Sequence, residues 1–385
     1  MAPAPYEISF GRIAGRVTPG VNLLLVRVGE RVVAKRDLIG GRTRFDFHVE
    51  LPLRDVVLTV TALDDRGRRS STKVGPVFGL PRAAAPRAPP RRSHPDARLG
   101  RAIRDLAEAF PRTCAIFVQD LRSDARAAWN ADVAFPAAST LKAAIALEVL
   151  RVYRGKPPRG GHVDRLLREM LIPSDDRAAN ELLTWLGGST SGGSAQVNST
   201  LRALGLRNTD MYGGYQVEAN VPRFVGKRTT ASDFGRLLRQ LHLAAGGKGL
   251  LARRFRGSFV PADARFLLYL LVHARPSWLD RFLGRDQVAV AHKPGWIRRA
   301  RHDGGVVYWR GGAFVAVVMT WDPRGVGASS ELLAGRVARA ALARFKGSVA
   351  KPRRATRRVA DLEGSGAGRS TAASRSRWRR RSRGR

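Results

Sequence analysis

The sequence predicts an α+β protein, in which a small all-β sandwich precedes an antiparallel sheet flanked by helices and a helical lobe. Short β-rich runs separated by turns fill residues 6–79, a proline-rich segment follows, and from residue 99 helical and strand patterns come in blocks. The chain has 385 residues, enough for two domains with real cores. We therefore divide it into an all-β module (1–80), a linker (81–98), a larger domain (99–348) and a basic tail (349–385).

The first 80 residues are interpreted as a sandwich of about seven short strands. Residues 44–49 alternate polar and apolar side chains, as a half-buried strand does, and turn signals such as Pro19-Gly20 separate the runs. The module is similar to the immunoglobulin-like modules appended to many bacterial surface enzymes. It shows no candidate site, so we interpret it as a spacer or binding module.

Residues 81–98 are predicted to be a linker. Four closely spaced prolines precede Pro95, and such a composition favours a stiff, extended chain that cannot build a core.

The larger domain is predicted to start with a helix (99–110) and two strands (114–120 and 126–130). Helical patterns then dominate to about residue 284, and the predicted helices are 143–152, 163–171, 175–186, 194–204, 231–245 and 262–274. Strands return at 288–292, 305–309 and 313–321, before a last helix at 329–345. Strands from both ends can form one antiparallel sheet, and the helical insertion then forms a second lobe across a cleft.

The chain is strongly basic, with a formal net charge of +38. Lysine accounts for nine of the 69 basic residues, and 13 basic residues against Asp361 and Glu363 lie in the tail from residue 351. The tail lacks periodicity and is expected to be disordered. A basic surface can bind anionic polymers through electrostatics, but a solvated arginine-rich surface explains the same composition.

Several classes of protein are disfavoured. The apolar runs are too short to cross a bilayer, and the N-terminus lacks a signal-peptide pattern. The single cysteine, Cys114, excludes an intrachain disulfide and lies in a predicted buried strand. We expect a monomer with neither a metal nor a cofactor.

A serine and a lysine three residues apart, Ser139 and Lys142, lie at the start of the predicted helix that continues over 143–152. Positions i and i+3 share a helix face, so the amine can accept the hydroxyl proton if burial or nearby charge lowers its pKa. This spacing alone is a weak signal, because Ser70 and Lys73 show it in a region predicted to be extended.

Two further stretches carry candidate residues. Ser174 precedes a predicted helix, where it is either an N-cap or the donor of a proton to a leaving amine. Lys293 follows a predicted strand, where it is either a solvated lysine at a strand-end turn or the cation that holds a substrate carboxylate. Gly295 lets a substrate approach the backbone closely. Arginine cannot give up its proton, so lysine at these positions of an arginine-rich chain favours the functional interpretation.

Together these motifs resemble those of the serine β-lactamase and penicillin-binding-protein superfamily, most closely the class A β-lactamases. The resemblance covers about residues 99–348 and includes flanking stretches at 176–183, 201–209, 229–233 and 302–305. The three motifs are Ser139-x-x-Lys142, Ser174-Asp175-Asp176 and Lys293-Pro294-Gly295.

The resemblance implies a role for each matched residue. Ser139 would attack a lactam or peptide carbonyl, with Lys142 as base or proton relay. Ser174 would protonate the leaving nitrogen, and Lys293 would bind the substrate carboxylate. The backbone N–H groups of Ser139 and Trp296 would form an oxyanion hole.

The sequence departs from the family pattern in the parts that hold substrate and release the acyl group. Asp176 replaces an asparagine, and we expect it to pair with Lys142 and raise the pKa of that lysine. Pro294 replaces a hydroxyl residue. Glu218 is the only acid on the loop where class A enzymes carry their deacylating glutamate, and its spacing to Asn220 differs from theirs.

The resemblance therefore implies a serine hydrolase that is acylated at Ser139 by a β-lactam, or by a related small amide or ester, and then hydrolyses the adduct. One alternative is a penicillin-binding protein that acts on peptidoglycan-like D-Ala-D-Ala peptides and deacylates slowly. Another is a non-catalytic protein on a degenerate hydrolase fold that binds cell-wall or other anionic polymer, in part through the basic tail. The resemblance suggests an extracytoplasmic location, but the missing signal pattern leaves the compartment open.

Overall fold

In the computed structural model, the strands of the first 80 residues form two sheets around their own apolar core. The structure describes residues 2–38, 42–88, 93–216, 226–284 and 288–349. The strands of the module are β1 (Ile8–Ser9), β2 (Arg12–Arg16), β3 (Val21–Val28), β4 (Arg31–Asp37), β5 (Arg44–His48), β6 (Asp55–Asp64) and β7 (Arg69–Gly79). One sheet has the order β1-β7-β6-β3-β4, and β2 pairs with β5 in the other. The immunoglobulin-like assignment stays a prediction.

The larger domain combines eight strands with nine helices in the described ranges. The strands are β8 (His94–Pro95), β9 (Thr113–Asp120), β10 (Ala125–Trp129), β11 (Ala134–Pro136), β12 (Arg228–Thr230), β13 (Val288–Ile297), β14 (Ala300–Trp309) and β15 (Gly312–Trp321). The helices are α1 (Ala97–Glu108), α2 (Lys142–Tyr153), α3 (His162–Leu171), α4 (Asp176–Gly187), α5 (Thr190–Ala203), α6 (Ala231–Ala244), α7 (Gly249–Arg254), α8 (Pro261–Val272) and α9 (Ala328–Val349).

Strands from both ends of the larger domain form one sheet, with the order β13-β14-β15-β9-β10-β8. All pairs are antiparallel except β8 with β10. Because side chains alternate along a strand, β9 directs Ile116 and Val118 to one face and Ala115 and Phe117 to the other. The first face packs against α1 and α9, and the second against the helical lobe, so the sheet is covered on both sides.

Strand β13 is the edge strand next to the helical lobe. It was expected to end at residue 292, but it continues to Ile297 because it pairs with β14 along its full length. Proline interrupts few hydrogen bonds in an edge strand, so Pro294 is compatible with this position. Lys293 therefore lies inside a strand, and the expected strand-end turn is wrong.

The all-β module is docked onto the larger domain. Ile8 and Phe10 belong to the same apolar cluster as the helical lobe. Glu7, which is buried, accepts a hydrogen bond of 2.7 Å from Arg265, and Asp55 bonds His273 at 2.8 Å. These contacts join the module to α8 and its C-terminal end.

The predicted linker makes contacts where the structure describes it. Ala84 is buried in the cluster that contains the helical lobe, and the Pro86 carbonyl accepts a hydrogen bond from Lys248. The division of the chain at residues 80 and 98 stays a prediction, as does the basic tail, which from residue 350 onward lies outside the described residues. No helix in the described ranges is both long enough and apolar enough to span a membrane.

Candidate active site

Ser139 lies in a tight turn at the edge of the sheet. The chain leaves β11 and forms a 3-10 turn over Ala138–Leu141, which runs directly into α2. The sequence predicted an α-helical first turn here, and the 3-10 geometry is a local tightening at that helix start. The turn is fixed by the Thr140 hydroxyl, which donates to the Ala137 carbonyl at 2.7 Å. Ser139 itself is half-buried and lines a cavity.

Strand β13 runs directly against this turn, and glycine makes the close approach possible. A Cβ atom placed on Gly295 would lie 2.8 Å from the backbone nitrogen of Ser139 and 3.0 Å from that of Thr140. Any larger side chain would therefore push the turn away from the strand. The neighbouring residue, Trp296, is 41% exposed at the cavity wall. This arrangement brings the backbone of Ser139 next to the strand that carries Trp296.

The Lys142 ammonium is fully buried and points toward the start of α4. It donates to the Ser174 carbonyl at 2.6 Å, to the Ser174 hydroxyl at 3.3 Å and to the Asp176 carboxylate at 2.5 Å. In the described ranges, Ser139 makes no side-chain hydrogen bond to Lys142. Burial lowers the pKa of Lys142, and the Asp176 carboxylate opposes that shift. The expected ion pair forms and Asp176 acts to raise the pKa of Lys142 as expected, but desolvation of the buried amine is the larger effect, so the net pKa is lowered.

Ser174 connects the two lysines. Its hydroxyl accepts from Lys293 at 2.9 Å as well as from Lys142. Its φ of 67° lies in the left-handed region, which non-glycine residues rarely adopt, and strain of this kind is common at functional sites. The N-cap of α4 is Asp175, whose side chain accepts from the Ala178 N–H, so the N-cap alternative for Ser174 is wrong.

Lys293 is fully buried on β13. Besides Ser174, its ammonium donates to the Pro294 carbonyl at 3.1 Å. Burial and the nearby Lys142 charge lower the pKa of Lys293 to about 7, against partial opposition from Asp303 and Asp176. The amine is therefore poised to gain or lose a proton near neutral pH.

Tyr215 is part of this cluster and was not predicted from the sequence. The Asn180 side chain bonds the Tyr215 backbone at both its N–H (2.6 Å) and its carbonyl (2.8 Å). This anchor places the Tyr215 ring 4.7 Å from the Lys142 ammonium and 4.8 Å from that of Lys227. Asn180 lies in the flanking stretch 176–183, so the match of that stretch to the family was the sequence feature that could have pointed to this contact.

Two buried histidines, His302 and His292, make hydrogen bonds next to the site. His302 has its pKa lowered to about 4 by burial and is therefore neutral at pH 7. Its partners assign the tautomer, since Nδ1 accepts from the Thr320 N–H and Nε2 lies 2.7 Å from the Pro136 carbonyl. His292, next to Lys293, bonds Asp303 at 2.8 Å. The flanking stretch 302–305 pointed to this region but not to these contacts.

The cavity in front of Ser139 has a volume of about 790 Å³. Asp176, Tyr215 and Trp296 contribute to its walls. Asp176 is the only carboxylate among the described lining residues, and its side chain is 41% exposed. Glu218, the candidate for activating water, lies outside the described residues. In the ranges that are described, no three His, Cys, Asp or Glu side chains come together as a metal site.

Comparisons with known proteins identify the family of the chain. A family model described as the β-lactamase enzyme family matches residues 98–156 and 152–345. No curated protein sequence matches the chain significantly.

Solved structures of three similar proteins confirm the predicted fold class. A mutant of PBP-A, determined as an acyl-enzyme complex with penicillin G, has a TM-score of 0.55 at 23% identity and covers 67% of this chain and 99% of its own. A class A β-lactamase from Mycobacterium abscessus has a TM-score of 0.53 at 21% identity, covering 64% and 99%. An ancestral class A β-lactamase has a TM-score of 0.52 at 23% identity, covering 64% and 100%.

Proposed function

The chain belongs to the β-lactamase enzyme family, and from this premise we propose that it is a serine hydrolase acylated at Ser139 by a β-lactam or a related small amide or ester. The observation that carries the proposal is the continuous network behind Ser139, in which one hydroxyl, that of Ser174, bonds both Lys142 and Lys293. Burying each of the two ammonium groups costs free energy. A purely structural role for Ser174 would not require that cost, so the arrangement favours a catalytic role.

In the proposed acylation, the Ser139 oxygen bonds to the carbonyl carbon of the substrate. The hydroxyl proton passes to the neutral amine of Lys142, whose lowered pKa makes that form accessible. The backbone N–H groups of Ser139 and Trp296 stabilise the oxyanion. The C–N bond then breaks as Ser174 donates its proton to the leaving nitrogen, and a lysine ammonium returns a proton to Ser174.

For this reaction Lys142 must redirect its amine from Asp176 toward Ser139. Asp176 holds the charged form of Lys142 at 2.5 Å, so it favours the resting, protonated state. Acylation is therefore expected to speed up with rising pH, until Lys293 loses the charge with which it holds a substrate carboxylate.

A second candidate function is favoured by Tyr215, namely a penicillin-binding protein that deacylates slowly. Hydrolysis of the acyl-enzyme needs a base that activates water beside Ser139. Among the described residues of the cavity wall, the neutral Tyr215 ring lies next to Lys142. The nearby carboxylate, Asp176, is already bonded to Lys142. Burial raises the pKa of the Tyr215 hydroxyl, so it does not serve as a base at neutral pH. The adduct at Ser139 is then long-lived.

The test is intact-mass spectrometry of the full chain with penicillin G, together with turnover of a chromogenic cephalosporin. We expect an adduct of one ligand per chain in the wild type and none in Ser139→Ala. Fast turnover without accumulated adduct supports a β-lactamase, and a stable adduct supports the penicillin-binding alternative. If neither adduct nor turnover is seen, the hydrolase proposal fails and the non-catalytic polymer-binding alternative gains support.

Glu218→Gln separates the two catalytic outcomes further. If Glu218 activates the deacylating water, the variant accumulates adduct while the wild type turns over. If Glu218 plays no part and the wall next to Ser139 supplies Tyr215 instead of a base, the lifetime of the adduct is the same in the variant and the wild type. The matched control is Glu30→Gln, a substitution in the all-β module.

The expected monomer and the binding of anionic polymer through residues 349–385 stay predictions.

A further inference from the structure

The mouth of the cavity is lined by arginines that have no partner in the described part of the chain. Arg298 and Arg299 form the two-residue connection between β13 and β14 and are both exposed. Neither guanidinium takes part in an ion pair or side-chain hydrogen bond with any described residue. Unpaired arginines at the rim of a cleft are available to a ligand.

Two further basic residues line the cavity. They are Lys227, just before β12, and Arg228, the first residue of β12. Arg228 is paired with Asp210 at 2.6 Å, whereas Asp176, the only carboxylate among the described lining residues, is bonded to Lys142. The exposed Arg298 and Arg299 therefore give the cavity mouth an excess of positive charge, which attracts anionic groups and raises their local concentration.

Strand geometry places these arginines on one particular side of the reaction centre. Gly295 is the residue in contact with the Ser139 turn, so the scissile carbonyl lies beside it. A strand rises about 3.3 Å per residue, which puts Lys293 roughly 7 Å to one side and Arg298 roughly 10 Å to the other. A ligand whose carboxylate on the leaving-group side is held at Lys293 thus extends its acyl side toward Arg298 and Arg299.

The edge position of β13 suits a ligand of extended shape. Its outer side has no partner strand in the described sheet, and its last two residues, Trp296 and Ile297, are exposed, so an extended peptide-like chain can approach the backbone there. Trp296 and Ile297, both exposed, supply apolar surface along the same path. The acyl portion would run over these side chains before it reaches the arginine turn.

We propose that the cleft selects extended, peptide-like acyl donors with a second anionic group about 10 Å from the scissile carbonyl, bound by Arg298 and Arg299. This inference rests on the proposed function, since it names the substrate class of the same site. It adds a subsite on the acyl side, distinct from the carboxylate site that the proposed function places at Lys293.

The test measures equilibrium binding to the full-length Ser139→Ala protein, so that it does not depend on acylation. The two probes are D-alanyl-D-alanine capped with glutaryl and the same peptide with the terminal glutaryl carboxylate converted to an amide. We expect the carboxylate probe to bind about fivefold more tightly at low salt, with the preference shrinking at higher ionic strength. Arg298→Gln/Arg299→Gln should remove the preference.

The matched control is Arg98→Gln/Arg101→Gln, which removes the same charge from the exposed face of α1. A preference that persists in the Arg298/Arg299 variant, or one lost equally in the control, overturns the proposal. Equal binding of both probes, or no binding of either up to millimolar concentration, overturns it too. If penicillin G labels wild-type Ser139 but the carboxylate probe is not preferred, only the subsite is refuted. If the carboxylate probe is preferred but Ser139 is not acylated, only the proposed function is refuted.

Discussion

Replacement of Lys293 by methionine should reveal how much free energy is spent in burying this amine. Lys293 is fully buried, and its pKa falls from 10.5 to about 7. One pKa unit corresponds to about 1.36 kcal/mol, so the shift amounts to about 5 kcal/mol of unfavourable free energy when the residue is charged. Methionine has a similar shape and carries no charge. We therefore expect Lys293→Met to unfold less readily than the wild type at pH 6.

The sign of the pH dependence follows from proton binding. Between pH 7 and 10.5 the unfolded chain keeps the Lys293 proton while the folded chain has lost it, so stability rises with pH in this window. The penalty is fully present below pH 7 and is relieved as the pH increases. From pH 6 to pH 9 the wild type should gain about 2.7 kcal/mol relative to Lys293→Met.

Urea denaturation at pH 6, 7, 8 and 9 measures this difference, because titrating groups that do not interact with Lys293 cancel between the two proteins, and Lys142 is the group whose charge is coupled to it. Lys248→Met is the control for replacing an exposed lysine by methionine. A wild-type advantage at pH 6, or a difference between wild type and Lys293→Met that does not change with pH, would refute the assignment of a desolvated amine. Lost hydrogen bonds to Ser174 and Pro294 lower the absolute gain but not its pH dependence.

Three other substitutions test the site and its support. Gly295→Ala should slow acylation by about 100-fold with little loss of stability, because the added Cβ would displace the Ser139 turn. Gly100→Ala is the control, since a Cβ there would meet no atom within 4 Å, and equal acylation rates in the two variants would contradict the contact. Asp176→Asn removes the charge that opposes the lowered pKa of Lys142, so the rise of acylation rate with pH should move to lower pH; a shift to higher pH would contradict this. Glu7→Gln should cost about 2 kcal/mol of unfolding free energy, because it removes the buried carboxylate that pairs with Arg265 beneath the module. Asp46→Asn, in an exposed pair, should cost less than about 1 kcal/mol, and equal losses in denaturant would argue against the docked interface.

Much of the fold could be predicted because its elements have local signatures. The helix 163–171 and the strand 313–321 were placed within a residue or two of α3 and β15, since their apolar patterns match the periods of helix and strand. Short elements such as α7 and β12 were missed. Their few residues carry too little pattern, and β12 exists only because it pairs with β11.

In the candidate site too, some residues could be predicted from local motifs and others depend on contacts between distant segments. The motifs named Ser139, Lys142, Ser174 and Lys293, and the structure joins the last three by direct hydrogen bonds. Tyr215 could not be assigned a place, because its position beside Lys142 depends on the anchor at Asn180, 35 residues away in the chain. The burial that sets the pKa of Lys293 depends on surrounding elements and has no local signal.

The sequence by itself determined the family, the order of the secondary structure and the residue types that the proposed chemistry needs, because spacing and apolar periodicity are local properties of the chain. Only the tertiary structure decided that the Lys142 amine faces Asp176, that Ser174 lies between two lysines, and that the edge strand beside Ser139 ends in a turn of two exposed arginines. These features arise where β13, α2 and α4 meet, and desolvation and close contact at such a junction are products of packing between distant segments.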